Sequence, residues 1–322
     1  MKIRLGHIVL PFIIAVGVVP GFAAPLNPAQ INRQANWVLH ADMDTFKSTT
    51  LSAFLRQKSA EAGLEEQMES FKKMFSFHPI DDVHGVTIYG FDTEEDHAVA
   101  LIHAEFNANK LISLLSQPEM VAYGPHTIYS WNVKTGKKNK REYGTIWGYN
   151  LILMSGSIES VQHAIDVLDG TTENAATGSY LSGYVAEPGQ FLYVRADQIY
   201  EIAKNDPDDI MMKQMEQLLM IAGEVNGRFQ CRVDVGIPSQ EKLVEIEQIC
   251  RGLLAYGLLD FKQNNPELSP LLQAVQIQSS AGLLSAWMEY KSSDFVDALS
   301  KAAKRAAAKE NAVSAGSTAK AK

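Results

Sequence analysis

Apolar positions along the chain change their spacing repeatedly, and that spacing predicts the elements. Trp37-Val38-Leu39-His40-Ala41-Asp42 reads as a strand running into a short helix around 50–57. Leu64, Met68, Phe71 and Phe75 recur at steps of four, three and four, which puts them on one helical face. Strands follow at 85–90 and 98–106, and Asn107 or Asn109 then caps a helix carrying Leu111, Ile112, Leu114 and Leu115. A hairpin is predicted from 126–133, a polar turn at 135–140 and a return strand at 143–150 that runs on into 151–154. Ser157 caps a helix with Ile158, Val161, Ala164, Ile165 and Leu168 on its buried stripe, closed by Asp169-Gly170.

After a Thr/Ser/Ala/Gly-rich stretch the pattern restarts. Phe191-Leu192-Tyr193-Val194-Arg195-Ala196-Asp197 matches the opening strand in type and place. A helix is expected through Met211, Met215, Leu218, Leu219 and Ala222, its methionines (with Met212 and Met220) filling a core. Next come an alternating strand at 229–235, a helix with Leu243, Ile246, Leu253 and Leu254, a strand region at 275–290, and a helix with Phe295, Val296 and Leu299. Adjacent alternating strands without a βαβ rhythm imply antiparallel sheets. The expected fold is α+β: two similar units, each an antiparallel sheet with helices packed on one face. The expected boundaries are a first unit at 24–170, a linker at 171–189, a second unit at 190–302 and an Ala/Lys-rich disordered tail at 303–322.

The first 23 residues carry an address. Lys2 and Arg4 precede an apolar run from Leu5 to Val19, and Gly21 and Ala23 suit the small-residue positions before a cleavage site. Cleavage after Ala23 is expected, with Ala24 as the alternative. The run is broken by Pro11 and Pro20 and is short for a membrane anchor, and no later segment is long and apolar enough to span, so the mature chain is expected to be soluble. The expected location is periplasmic or extracellular.

With 322 residues, 46% of them hydrophobic, the chain has material for about two ordinary domains. Its net charge is −8 while both ends are basic, so the body is more acidic than the whole and repels phosphate backbones. A nucleic-acid partner is thereby disfavoured. The basic tail suits an anionic surface, and Lys137-Lys138-Asn139-Lys140-Arg141 suits a solvated hairpin tip.

Candidate chemistry is sparse. His40, Asp42 and Asp44 alternate on one strand face, and an imidazole with carboxylates suits a divalent metal. The competing reading has Asp42 or Asp44 capping the following helix, and the second unit favours it by placing Arg195 where His40 stands. His78, Asp81 and His84, with Asp82, form a second dense group that also reads as a Pro-containing loop. Nucleophile elbows, His-Glu-x-x-His, phosphate loops and Cys-x-x-Cys are absent from the sequence, and no cofactor is expected. Tyr129 and Trp131 alternate on one hairpin strand, and Tyr143, Trp147 and Tyr149 on the other. If cross-strand numbers sum to an even value, all five rings share a face able to stack on a glycan or peptide; an odd sum splits them. Cys231 and Cys250 point at one strand–helix interface, either as a disulfide or as buried thiols.

The stretches Asp82-Val83-His84-Gly85-Val86-Thr87-Ile88-Tyr89-Gly90, His126-Thr127-Ile128-Tyr129-Ser130-Trp131 and Ala164-Ile165-Asp166-Val167-Leu168-Asp169-Gly170 resemble exported proteins of unknown function from Verrucomicrobia- and Planctomycetes-type bacteria. Leu268-Ser269-Pro270-Leu271-Leu272-Gln273-Ala274-Val275 is similar to their C-terminal repeat. The resemblance implies an exported bacterial protein and assigns no catalytic residues. The expected function is a non-catalytic binding or scaffold module of the envelope, with an envelope protein or glycan as partner. The alternative is a metal-dependent or hydrolytic secreted enzyme using the clusters near 40–44 and 78–84.

Overall fold

A computed structural model describes residues 24–92, 94–115, 117–135, 138–203 and 211–319. The signal segment expected at 1–23 lies outside the described residues. The N-terminal half runs β1 (Trp37–Asp42), α1 (Met43–Lys47), α2 (Thr50–Glu61), α3 (Glu65–Phe75), β2 (Val83–Gly90), β3 (Val99–Ala104), α4 (Ala108–Ser113), β4 (Glu119–Tyr123), β5 (His126–Thr135), β6 (Lys138–Trp147), β7 (Leu151–Ser155) and α5 (Ile158–Leu168). The C-terminal half runs β8 (Gln190–Asp197), α6 (Ile199–Ala203), β9 (Gln217–Val225), β10 (Arg228–Gly236), α7 (Gln240–Asn264), α8 (Ser269–Gln273), β11 (Gln276–Ser280), β12 (Leu283–Lys291) and α9 (Ser292–Ala319). Helices and antiparallel strands are mixed, as expected, but the strands build one sheet rather than two. Its order is β11-β12-β10-β9-β8-β1-β2-β3-β7-β6-β5-β4, with β1 and β8 joining the halves at its centre.

Local signals explain most boundaries. Asp42 caps α1, its carboxylate accepting from the Thr45 amide at 2.9 Å and the Thr45 hydroxyl at 2.8 Å. Thr49, Asn107, Ser157 and Ser239 cap α2, α4, α5 and α7 in the same way. The β9–β10 hairpin turns through Asn226-Gly227, both with positive φ, the pair that a tight two-residue hairpin demands. Gly189, also at positive φ, admits no side chain, because a Cβ there would sit 2.2 Å from the Glu224 carbonyl oxygen.

The helix expected through Met211 and Ala222 is instead a short 3-10 turn at Met212–Gln214, with Met211 exposed rather than filling a core, followed by the strand β9. Leu218, Met220 and Ala222 alternate with Leu219, Ile221 and Gly223, and each pairs with both β8 and β10. A nearly continuous apolar run fits either period, and two strand neighbours decide between them. At the C-terminus α9 continues to Ala319, through most of the stretch expected as a tail, since alanine is the strongest helix former.

Register assigns every strand residue to one of two faces. The front bears Val38, Tyr89, Leu101 and Leu153, covered by α5 (Val161, Ala164, Ile165) and by Leu26, Ile31, Ala175 and Leu181. The stretch 171–189 is therefore anchored to the core by Ala175 and Leu181, with Tyr180 and Tyr184 packed beside them. The back bears Ala41, Val86 and Ile102, covered by α1 to α4 through Met43, Phe46, Phe71 and Phe77. Helices thus lie on both faces of the N-terminal half, against the single covered face expected, because its crossovers alternate sides. In the C-terminal half the back is covered by α7 (Leu243, Ile246) and α9. On the front the core extends to Tyr193, Leu219 and Ile221 of β8 and β9 beneath Tyr180 and Tyr184, and the described helices leave β10, β12 and β11 uncovered. A chain of rings, Phe46–Phe191–Phe229–Phe295, with centroids 5.1, 6.4 and 4.5 Å apart, ties the two halves along the back. Glu224 of β9 adds a polar tie, accepting from the Thr50 amide at 2.9 Å and its hydroxyl at 2.6 Å.

Candidate functional site

The His/Asp corner is a structural knot. His40 is buried, its Nδ1 2.9 Å from the Thr87 hydroxyl, while Nε2 has no hydrogen-bond partner of good geometry. Burial, outweighing a backbone contact from Ala24, pushes the imidazole down to about 4, so it is neutral at physiological pH. Asp42 is occupied in capping α1, and its own burial raises its carboxyl above the ordinary range. Asp44 faces Lys47 at 3.0 Å and the His84 Nδ1 at 2.9 Å. Lys47, only 4% exposed, also donates to the Asp81 and Val83 carbonyls at 2.7 and 2.8 Å. His84 sits at a bulge between β2 and β3, from which its ring reaches Asp44.

The second cluster closes a loop. The His78 amide donates to Asp82 at 2.6 Å, and the His78 Nδ1 accepts from the Asp81 amide at 3.1 Å. Asp81 is paired with Arg56. The five metal candidates, His40, Asp42, His78, Asp81 and His84, are thereby distributed over separate contacts. Among the described residues no three His, Cys, Asp or Glu side chains are grouped so as to hold a metal ion.

The aromatic hairpin does not form a platform. Tyr129 faces Gly144 and Ser130 faces Tyr143, so cross-strand numbers sum to an odd value and the rings are split. Tyr129 and Trp131 lie on the back, where Gly144 leaves room for the Trp131 ring. Tyr143 and Trp147 lie on the front against the core, with the Trp147 indole donating to Asp169 at 2.9 Å. Tyr149 stands 85% exposed beyond the end of β6. The strands extend to Thr135 and resume at Lys138, a shorter connection than expected, and that sets the parity. Cys231 and Cys250 are free thiols, each raised above the ordinary range by burial. Cys250 packs against the cluster of Ile237, Leu243, Ile246 and Leu284 as a small hydrophobe.

A surface not anticipated from the sequence is the bare front of the C-terminal half. Arg232 faces Trp287 across β10–β12 and Gln276 faces Trp287 across β11–β12, so the indole is flanked by a guanidinium and an amide. Gln230 with Glu289, and Asp234 with Ser285, continue the same face. Trp287 is half-buried there with no described helix above it. Arg232 is steered by Asp234 at 3.0 Å and Glu187 at 3.8 Å. Two solvent-open hollows of about 190 and 420 Å3 share Arg232 and Trp287 as their common rim. The first reaches Gln190, Ile221 and Glu289, and the second Gln278, Ser280 and Ser285. The signal in the sequence is a tryptophan in the polar register Ser285, Trp287, Glu289, where alternation calls for a hydrophilic side chain.

No family model matches this chain, and no curated protein matches it. Among solved structures it is similar to crystal form I of TP0453 at 10% identity and TM-score 0.45, covering 86% of this chain and 98% of that one. Crystal form III of TP0453 gives 8% identity and TM-score 0.47 over the same shares. No described helix is long and apolar enough to cross a membrane.

Proposed function

We propose that this is an exported envelope protein acting as a non-catalytic binding module, whose ligand is a glycan strand lying across the bare front of the C-terminal half. The observation that carries the reading is Trp287 standing among Arg232, Gln230, Gln276 and Gln278 on a sheet face without covering helices. An indole offers an apolar plate to the C–H faces of a sugar ring. The surrounding guanidinium, amides and Asp234 supply both donors and acceptors for hydroxyls, as a chain of neutral sugars requires. The enzyme reading loses support, since Asp42 caps a helix, Asp81 and His84 face opposite charges, His78 closes a loop and His40 is buried against the Thr87 hydroxyl.

Native electrophoresis through gels containing soluble envelope polysaccharides tests the binding. Retardation of the wild type, lost in Trp287→Ala and kept in Tyr149→Ala, is the expected outcome, and equal mobility in every polysaccharide overturns it. Export is tested by N-terminal sequencing of the protein recovered from cells, which should begin at Ala24; a mature chain beginning at Met1 overturns that part.

We further propose that the chain is a duplicated unit. Counted outward from the centre, the strand orders β1-β2-β3-β7-β6 and β8-β9-β10-β12-β11 match in sequence order, with the β4–β5 hairpin as an addition to the N-terminal half. The matching Ala41-Asp42 and Ala196-Asp197 corners support the same reading.

A further inference from the structure

The sheet has two edges, and they are finished differently. At one end, α7 guards β11. Arg251 donates to the Ile277 carbonyl at 2.6 Å while held by Glu247 at 2.7 Å, and Glu247 also accepts from the Ser279 hydroxyl. The guanidinium thus occupies an outward carbonyl that an incoming strand needs, and places a charged side chain over the edge. Among the described residues the other end has no such guard. In β4, Glu119 to Ala122 are all exposed, with Met120 at 68% and Val121 at 40%. Its single charge, on Glu119, is taken up by Arg141. An uncharged, apolar, exposed edge is a template for another strand.

Hydrogen-bond parity defines the strand that fits. β4 and β5 are joined by the two-residue turn Gly124-Pro125, so Tyr123 and His126 are mutually bonded, as are Val121 and Ile128. Met120 and Ala122 therefore turn their N–H and C=O groups outward. An antiparallel partner with full overlap must set Met120 against an outward-facing residue at the position of Ala122. A second β4, related by a two-fold axis through Val121, meets that condition. Large Met120 falls against small Ala122, Glu119 falls against Tyr123, and no like charges face one another.

We propose that β4 pairs antiparallel with β4 of a second copy of this chain, centred on Val121, so that two sheets become continuous. Five residues make about four intermolecular backbone bonds and a contact below the size of a permanent interface, so the dimer dissociates on dilution.

Sedimentation velocity of the mature chain between ~5 and ~500 μM, a range chosen for a small interface, should show a concentration-dependent shift from monomer to dimer. Ala122→Pro removes one outward N–H and leaves the β5 ladder intact, and should hold the chain monomeric with unchanged far-ultraviolet circular dichroism. If that variant fails to fold, Val121→Lys serves instead. In a C231S/C250S background, V121C should crosslink to its own copy under mild oxidation at least about tenfold faster than M120C, because directly opposed non-hydrogen-bonded residues come closest. A chain monomeric at every concentration, a dimer unaffected by both edge variants, or equal crosslinking at 120 and 121 would each overturn the pairing.

Discussion

The two halves share a strand order around the centre of one sheet yet finish its front face differently. In the N-terminal half the front lies beneath α5, residues 24–36 and the packed stretch 171–189, and Leu101 and Leu153 have no solvent exposure. In the C-terminal half the same face is open beyond β9, and Trp287, Arg232 and Asp234 of β12 and β10 occupy the positions where the first half places core. Position on a sheet does not by itself make a residue structural. A covering layer does, and where the layer is missing the same register stays open to solvent.

The largest effect expected is at the polar knot of the covered half. Lys47→Met leaves Asp44 and two carbonyls without their buried cation, and should cost about 3–5 kcal/mol in guanidinium unfolding. A loss under about 1 kcal/mol would mean that the knot relaxes or admits water. A matched pair tests the faces directly. Leu153→Ala should destabilise by about 2–5 kcal/mol, and Trp287→Ala by less than about 1.5 kcal/mol while abolishing retention by polysaccharide. Equal losses would show that the open face is as much core as the covered one.

Acid should act through the covered half. The folded His40 value of about 4 lies below the ordinary 6.5, so between these values the unfolded chain takes up a proton that the folded chain refuses. This contribution is fully present above about pH 6.5 and falls away as the pH drops towards 4, by roughly 3 kcal/mol in all. His103, also lowered by burial, acts in the same direction, whereas Asp42, raised by burial, acts oppositely. Unfolding free energies at pH 7, 5.5 and 4.5 should show a shallower slope in His40→Gln than in the wild type, and parallel slopes would exclude His40 as the source. The smallest effect is in the open half. Gly227→Ala at φ +70 meets no neighbouring atom, so only backbone strain opposes it, about 1 kcal/mol by thermal melting.

Features written locally were legible in the sequence. The capping role of Asp42, weighed against a metal ligand, is visible because a carboxylate three residues before an amide needs no distant partner. The α5 stripe and its Ser157 cap were legible for the same reason. What escaped depends on neighbours far along the chain. β9 was misread because Leu218 to Ala222 fit either period until β8 and β10 flank them. The hairpin rings were divided by the parity of one short connection, and the Trp287 surface depends on which helices return to which side. Front and back cannot be assigned from one strand's alternation alone.

Lys47 has one more consequence. Its amine sits among carbonyl oxygens with almost no path to solvent, so an acylating reagent reaches it only when α1 lifts from the loop after Ile80. Its labelling rate, followed by mass spectrometry against that of exposed lysines, would act as a built-in clock for opening of this corner.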